Sequence, residues 1–246
     1  MNLEVFYVDA FADKLFSGNP AAVIFTDLND ETLMQKIAAE NNLSETAFIN
    51  IEGNTNLIRW FSPTKEVDLC GHATLASAFI YFNFINTNTD IIEFESNGGL
   101  LRVNKKDNFL ELDFPKDTFS ITDYENAVCN AVGLKPIETY RGEINLMAVY
   151  ENEEQILNLE PNFKKIIELE GQGLIVTAPG TNHDFVSRYF CPKYGVNEDP
   201  VTGSAHTTLI PYWSDKLAKK KLLAKQVSKR GGELFCEDKD ERVLIG

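Results

Sequence analysis

Residues 3–10 and 21–25 carry the apolar pattern of strands, and the pattern returns at 46–50 and 57–61. Between them, over 30–41, Leu33, Ile37 and Ala38 fall at helical intervals behind Asn29 or Asp30, either of which can cap a helix start. The stretch 71–84 differs from both. Its Ala73, Leu75, Ala76, Ala78, Phe79, Ile80, Tyr81 and Phe82 leave no polar face, which predicts a helix buried on all sides. A glycine turn at Gly98-Gly99 leads into strands over 100–103 and 109–114, a hairpin around Lys105-Lys106-Asp107-Asn108. Near the end, 233–236, a charged turn and 242–245 repeat that hairpin.

The recurrence is wider than one hairpin. Arg59-Trp60-Phe61-Ser62-Pro63 is echoed 129 positions later by Arg188-Tyr189-Phe190-Cys191-Pro192. Thr46-Ala47 returns as Thr177-Ala178 at 131, and Cys70-Gly71-His72-Ala73 as Thr202-Gly203-Ser204-Ala205 at 132. The glycine pair Gly98-Gly99 returns as Gly231-Gly232 at 133. Four matches in one order at slowly drifting offsets indicate a duplication. The predicted class is α+β, with two pseudo-symmetric domains, 1–116 and 117–246, each a curled, strand-rich sheet around one apolar helix. The boundary is expected near 115–120, and a functional site in the cleft between the halves.

Composition narrows the function. A chain of 246 residues with 43% apolar content can bury a full core. A formal charge of −14 repels phosphate backbones and anionic lipids, so neither nucleic acid nor a membrane surface is an expected partner. The lysine-rich run 216–221 goes against that trend; beside Leu217, Leu222 and Leu223 it reads as the wet face of a helix. Cys70, Cys129, Cys191 and Cys236 are widely spaced without a disulfide framework. That spacing, an N-terminus lacking signal-peptide design and the absence of an apolar run of about 20 residues predict a cytoplasmic protein.

Small polar residues precede the buried helix in each half: Asp68-Leu69-Cys70-Gly71-His72 in the first and residues 198–204, Glu198 through Ser204, in the second. A helix start carries unpartnered N–H groups and partial positive charge, so two such starts can hold a carboxylate, with Gly71 and Gly203 admitting the ligand to the backbone. Ordinary capping by Asp, Thr and Ser explains either site alone. Glu45 is the most informative residue, because the Thr-Ala match sets it against Val176: a position that accepts valine does not need a carboxylate for folding. In partly apolar surroundings a carboxyl group is suited to both taking and giving a proton. His72 and Ser204 occupy matching places, and Asp199 stands ahead of the second helix.

Other chemistries fit less well. His72, Asp199 and Ser204 suggest a hydrolase triad, but Thr202-Gly203-Ser204-Ala205-His206 lacks the nucleophile-elbow pattern. His72, His183 and His206 show no metal-ligand spacing, and no phosphate loop or dinucleotide fingerprint occurs, so neither metal nor cofactor is expected. His183 reads as a turn residue, and Gly18-Asn19-Pro20 as a turn signal only.

The segments Phe16-Ser17-Gly18-Asn19-Pro20-Ala21-Ala22-Val23, Ala39 through Phe48 around Ser44-Glu45-Thr46, Leu69 through Ser77 and Glu198 through His206 resemble those of the PhzF family. This is the phenazine-biosynthesis isomerase family, related to diaminopimelate epimerase, and the likeness runs from about Val5 to Gly246. It implies two domains of the diaminopimelate-epimerase type and a cofactor-free, metal-free isomerisation in which Glu45 carries a proton between substrate carbons. It further implies that His72 and Asp199 orient the substrate and assist transfer, and that Ser204, with N–H groups near Gly71 and Gly203, holds its carboxylate. A homodimer is compatible with the resemblance, though no residue fixes one. Two departures stand out: the opposed thiols of the related epimerases are here Cys70 and Thr202, and family members run on through one more strand beyond the place where this chain stops.

The leading expectation is therefore an isomerase acting on a small anionic amino- or hydroxy-carboxylate. An epimerase using Glu45 with Cys70, whose thiol acidity should rise at a helix start, is the alternative within the enzymes. A non-catalytic binding protein of the same fold is the alternative outside them.

Overall fold

In a computed structural model that describes residues 2–53, 55–106 and 109–246, the chain divides into two compact units, Met1–Phe114 with Leu244–Gly246, and Pro115–Val243. The Asp107-Asn108 part of the expected hairpin turn lies outside the described residues.

Unit 1 contains β1 (Phe6–Ala10), β2 (Asn19–Phe25), α1 (Glu31–Asn41), β3 (Glu45–Glu52), β4 (Thr55–Phe61), β5 (Glu66–Val67), α2 (Gly71–Ile80), β6 (Ile91–Ser96), β7 (Gly99–Lys105) and β8 (Leu110–Pro115). β1 runs antiparallel to β2, β2 parallel to β3, β3 antiparallel to β4, and β4 antiparallel to β5 and parallel to β6. β6, β7 and β8 continue as an antiparallel meander. Asp30 caps α1 by accepting a hydrogen bond from the Leu33 N–H at 3.1 Å, and Asn42 ends the helix in the left-handed conformation. The inward face of α1 packs Met34 and Ala38 against Ile24, Phe48 and Phe61.

α2 is the apolar helix, packed against β1, β2, β3 and β7. Burial on all sides holds except at Phe79, which is 45% exposed. The helical run also stops at Ile80: residues Tyr81–Ile85 widen into a π turn, and Phe84 and Ile85 face outward, Phe84 against Phe6. An uninterrupted apolar run conceals such a change, because hydrophobicity is the same on either side of the junction.

Unit 2 contains β9 (Phe119–Thr122), α3 (Glu125–Val132), β10 (Glu138–Gly142), β11 (Leu146–Val149), α4 (Glu153–Leu157), α5 (Phe163–Glu168), β12 (Leu174–Pro179), β13 (Phe185–Cys191), β14 (Val196–Asp199), α6 (His206–Leu217), β15 (Lys221–Gln226), β16 (Gly232–Lys239) and most of the approach to β17 (Arg242–Ile245). Its pairings repeat those of unit 1: β10 antiparallel to β11, β11 parallel to β12, β12 antiparallel to β13, and β13 antiparallel to β14 and parallel to β15. Val128, Tyr150, Ile156, Ile166, Val176 and Phe190 build a core under α3, α4 and α5.

The duplication extends to individual side chains. Arg59 forms a two-pronged pair with Glu66 and sits over Phe61; Arg188 does the same with Glu198 and Phe190. Thr74 Oγ1 donates to the Cys70 carbonyl, and His206 Nδ1, at the equivalent place, donates to the Thr202 carbonyl at 2.7 Å. The two arginines differ in enclosure, with side-chain exposures of 26% for Arg59 and 13% for Arg188, which also donates to the carbonyls of Ile156 and Leu159. Removing the more enclosed one strands a half-buried Glu198. Arg188→Met is accordingly expected to cost about 3 kcal/mol and Arg59→Met about half of that, read by urea unfolding. Equal losses would contradict the assignment.

The lysine-rich run is not one helical face. α6 ends at Leu217, Ala218 turns left-handed, and Lys221 opens β15. Lys216 pairs with Glu138, Lys219 with Asp184, and Lys220 with Asp238 and Asp240, so carboxylates neutralise much of the run. Among the described residues no helix is long and apolar enough to cross a membrane.

Candidate functional site

Glu45 is the first residue of β3, where it lies beside Ala21 of β2 in the parallel pairing. Its carboxylate, 19% exposed, approaches the His72 ring, with Oε2 3.3 Å from Nε2. That contact lacks hydrogen-bond alignment. His72 is the second residue of α2 and is buried, and burial pushes its pKa down to about 3 against a weaker upward pull from the Pro20 carbonyl. The imidazole is therefore neutral near pH 7, and the pair is a carboxylate against a neutral ring.

The other ring nitrogen is also engaged. The Asn19 carboxamide nitrogen lies 3.2 Å from Nδ1, and Cys70 Sγ lies 3.6 Å from the same atom. Asn19 is in place because Gly18 adopts φ +71° and any side chain there would strike the Ala10 carbonyl oxygen. The turn read from Gly18-Asn19-Pro20 thus delivers a buried amide to His72. Carboxylate oxygen, thiol sulfur and imidazole nitrogen of Glu45, Cys70 and His72 all lie within 4.8 Å of one another. These are donor types that bind zinc, and linear spacing gave no sign of the group, since β3 contributes one member and the start of α2 the other two. No side-chain cap hydrogen bond closes the start of α2, which leaves the first turn suited to an anion.

In unit 2, Asp199 ends β14 and is buried, accepting a hydrogen bond from Thr202 Oγ1. Gln226 completes this knot: its Nε2 donates to the Asp199 carbonyl at 2.7 Å, and its Oε1 accepts from the Thr202 N–H at 2.9 Å. Thr202 N–H is consequently occupied from within the protein. Gly203 and Ser204 lie in a turn just ahead of α6, whose first helical residue is His206, so Ser204 is not on the helix as His72 is. Their carbonyls accept from the N–H groups of His206 and Thr207. His183 contacts Glu233 at 2.9 Å, apart from these groups.

Strand register corrects the partner assigned to Glu45. Arg59 stands opposite Phe48, and its twin Arg188 stands opposite Val176, so Val176 matches Phe48. Counting back three residues from each makes Gly173 the counterpart of Glu45. A Cβ at Gly173 would fall 2.5 Å from the Tyr189 hydroxyl oxygen, so that ring fills the equivalent space. Likewise Trp60 pairs with Val67 and Tyr189 with Asp199, so Asp199 replaces a valine. At these two places each unit carries an acidic residue where its twin has none.

The comparisons agree with this architecture. Residues 8–246 match the family described as PhzC-PhzF, phenazine biosynthesis-like protein. The chain belongs to that family. An uncharacterized isomerase of Pseudomonas aeruginosa is 49% identical over all of this chain and 94% of its own length. The crystal structure of a PhzF-family phenazine biosynthesis protein from Enterococcus faecalis superposes with a TM-score of 0.96 at 47% identity, covering 100% of this chain and 95% of that one. A PhzC/PhzF protein from Clostridium difficile gives 0.92 at 45% identity, over 99% and 95%. Membership in the PhzF family makes the chain an enzyme of isomerase type. Asn19 and Gln226, which hold the polar groups of the two units, escaped the sequence reading. The only signal was their polarity at the ends of apolar strands, which a turn or an exposed strand end explains equally well.

Proposed function

We propose that this PhzF-family chain moves a proton between carbons of a small amino- or hydroxy-carboxylate without metal or cofactor, with Glu45 as the acid/base. The supporting observation is a half-buried carboxylate facing a neutral imidazole, where the duplicated unit has only a glycine. Glu45 takes a proton from one substrate carbon, the electron pair shifts along the conjugated skeleton, and the resulting carboxylic acid returns the proton to a second carbon. His72 orients the substrate beside Glu45, while the N–H groups at Gly71 hold its carboxylate. Asp199, with Gly203 and Ser204, serves the same reaction. The test is turnover of a panel of such acids in heavy water, with the product read by NMR. A product whose double bond has moved and which carries deuterium at the new C–H supports the reading; no turnover across amino-, hydroxy- and unsaturated acids contradicts it.

Asp199→Asn is expected to lower kcat/KM on the order of 10- to 100-fold, and less in a Glu45→Gln background than in the wild type. Fully additive losses would separate Asp199 from the reaction. A second reading draws on Cys70, 3.6 Å from Nδ1 of the His72 ring: inversion at one carbon by Glu45 and Cys70. Retained turnover in Cys70→Ala excludes it. Two opposed thiols are unavailable, since the counterpart of Cys70 is Thr202.

A further inference from the structure

We infer that Glu45, Cys70 and His72 also form a binding site for a zinc-like divalent cation, and that such a cation blocks the enzyme. This inhibition rests on the reading of Glu45 as acid/base; the binding does not. Tetrahedral zinc with bonds of about 2.0–2.2 Å to nitrogen and oxygen separates those two ligands by about 3.3 Å. Glu45 Oε2 and His72 Nε2 are 3.3 Å apart, and Nε2 is buried without a hydrogen bond. Cys70 Sγ, 3.6 Å from the other nitrogen of the same ring and part of a group whose ligand atoms lie within 4.8 Å of one another, completes the set by rotating about its Cα–Cβ bond. A fourth position remains for water.

The charges and surroundings agree. Thiolate and carboxylate together neutralise a dication, while the thiol proton leaves to solvent. Thiolate and imidazole select zinc or cobalt over magnesium or calcium. Metal on Nε2 places the ring proton on Nδ1, where the Asn19 carboxamide at 3.2 Å can turn its oxygen to accept it, as outer partners of metal-bound histidines do. Glu45, 19% exposed, gives the ion a route from solvent.

The test is titration of the metal-free protein with Co²⁺, followed by absorbance. One equivalent with a thiolate-to-cobalt charge-transfer band is expected. The band should vanish in both Cys70→Ser and Cys70→Ala and persist in Cys129→Ser, and affinity should fall at least 10-fold in Glu45→Gln. Zinc should displace cobalt and slow alkylation of Cys70 in the wild type, a readout that needs no folded variant. Absence of the band, or its persistence without the Cys70 thiol, overturns the site. Full turnover with zinc bound overturns the inhibition alone, and turnover retained by Glu45→Gln overturns the catalytic reading while leaving the metal site standing.

Discussion

Glu45→Gln is expected to lower kcat by about 10²- to 10⁴-fold while the protein stays folded. Glutamine keeps the volume and one oxygen but cannot exchange a proton, so the substitution removes the chemistry and leaves the packing. Stability should change by less than about 1 kcal/mol, because glutamine keeps the volume and the facing imidazole is neutral, so that contact carries no charge–charge attraction to lose. Glu45→Asp retracts the carboxylate by one methylene and should fall between wild type and glutamine, since proton transfer tolerates little misplacement. Steady-state kinetics with a substrate identified from the acid panel, alongside thermal unfolding, measures both. A glutamine variant within threefold of wild type would remove Glu45 from the mechanism.

Acid sensitivity provides the second large effect. His206 is fully buried in α6, its Nδ1 bonded to the Thr202 carbonyl and its ring against Phe185, and burial lowers its pKa to about 4. An unfolded histidine has a pKa of about 6.5. Between those values the unfolded chain binds the proton and the folded chain does not, so stability falls as pH drops through 6.5 toward 4 and levels off below. The contribution reaches about 3 kcal/mol. Thr74 makes the same bond to the carbonyl four residues back in unit 1 without an ionisable ring, so His206→Thr is the matched replacement. It is expected to be less stable at pH 7, through lost volume, but to lose about 3 kcal/mol less than wild type between pH 7 and pH 4. Urea midpoints across that range report the slope; an unchanged slope would mean that His206 takes up its proton without unfolding.

How much of this was legible in the sequence depended on range. Local signals carried well: Asp30 caps α1, and the apolar run at Gly71 became the buried helix. The repeat also carried, because Arg59 and Arg188 each keep a glutamate and a phenylalanine. Matching Thr46-Ala47 to Thr177-Ala178 misled, since the two dipeptides sit three residues apart in register, and strand pairing is set by backbone hydrogen bonds that identity does not report. The one-sidedness of Glu45 survived the change of partner from valine to glycine. The lysine run was misread because helix and strand periods are hard to separate in a short mixed segment. Asn19, Gln226 and the Glu45–Cys70–His72 cluster depend on residues that only folding brings together.

The central claim is that one carboxyl group in a duplicated scaffold relocates a substrate hydrogen. Its most direct measurement is deuterium wash-in from solvent at the substrate's acidic carbon, followed by NMR for wild type and Glu45→Gln side by side. Exchange by the wild type and none by the variant is the expected result. Equal exchange by both proteins would contradict the account.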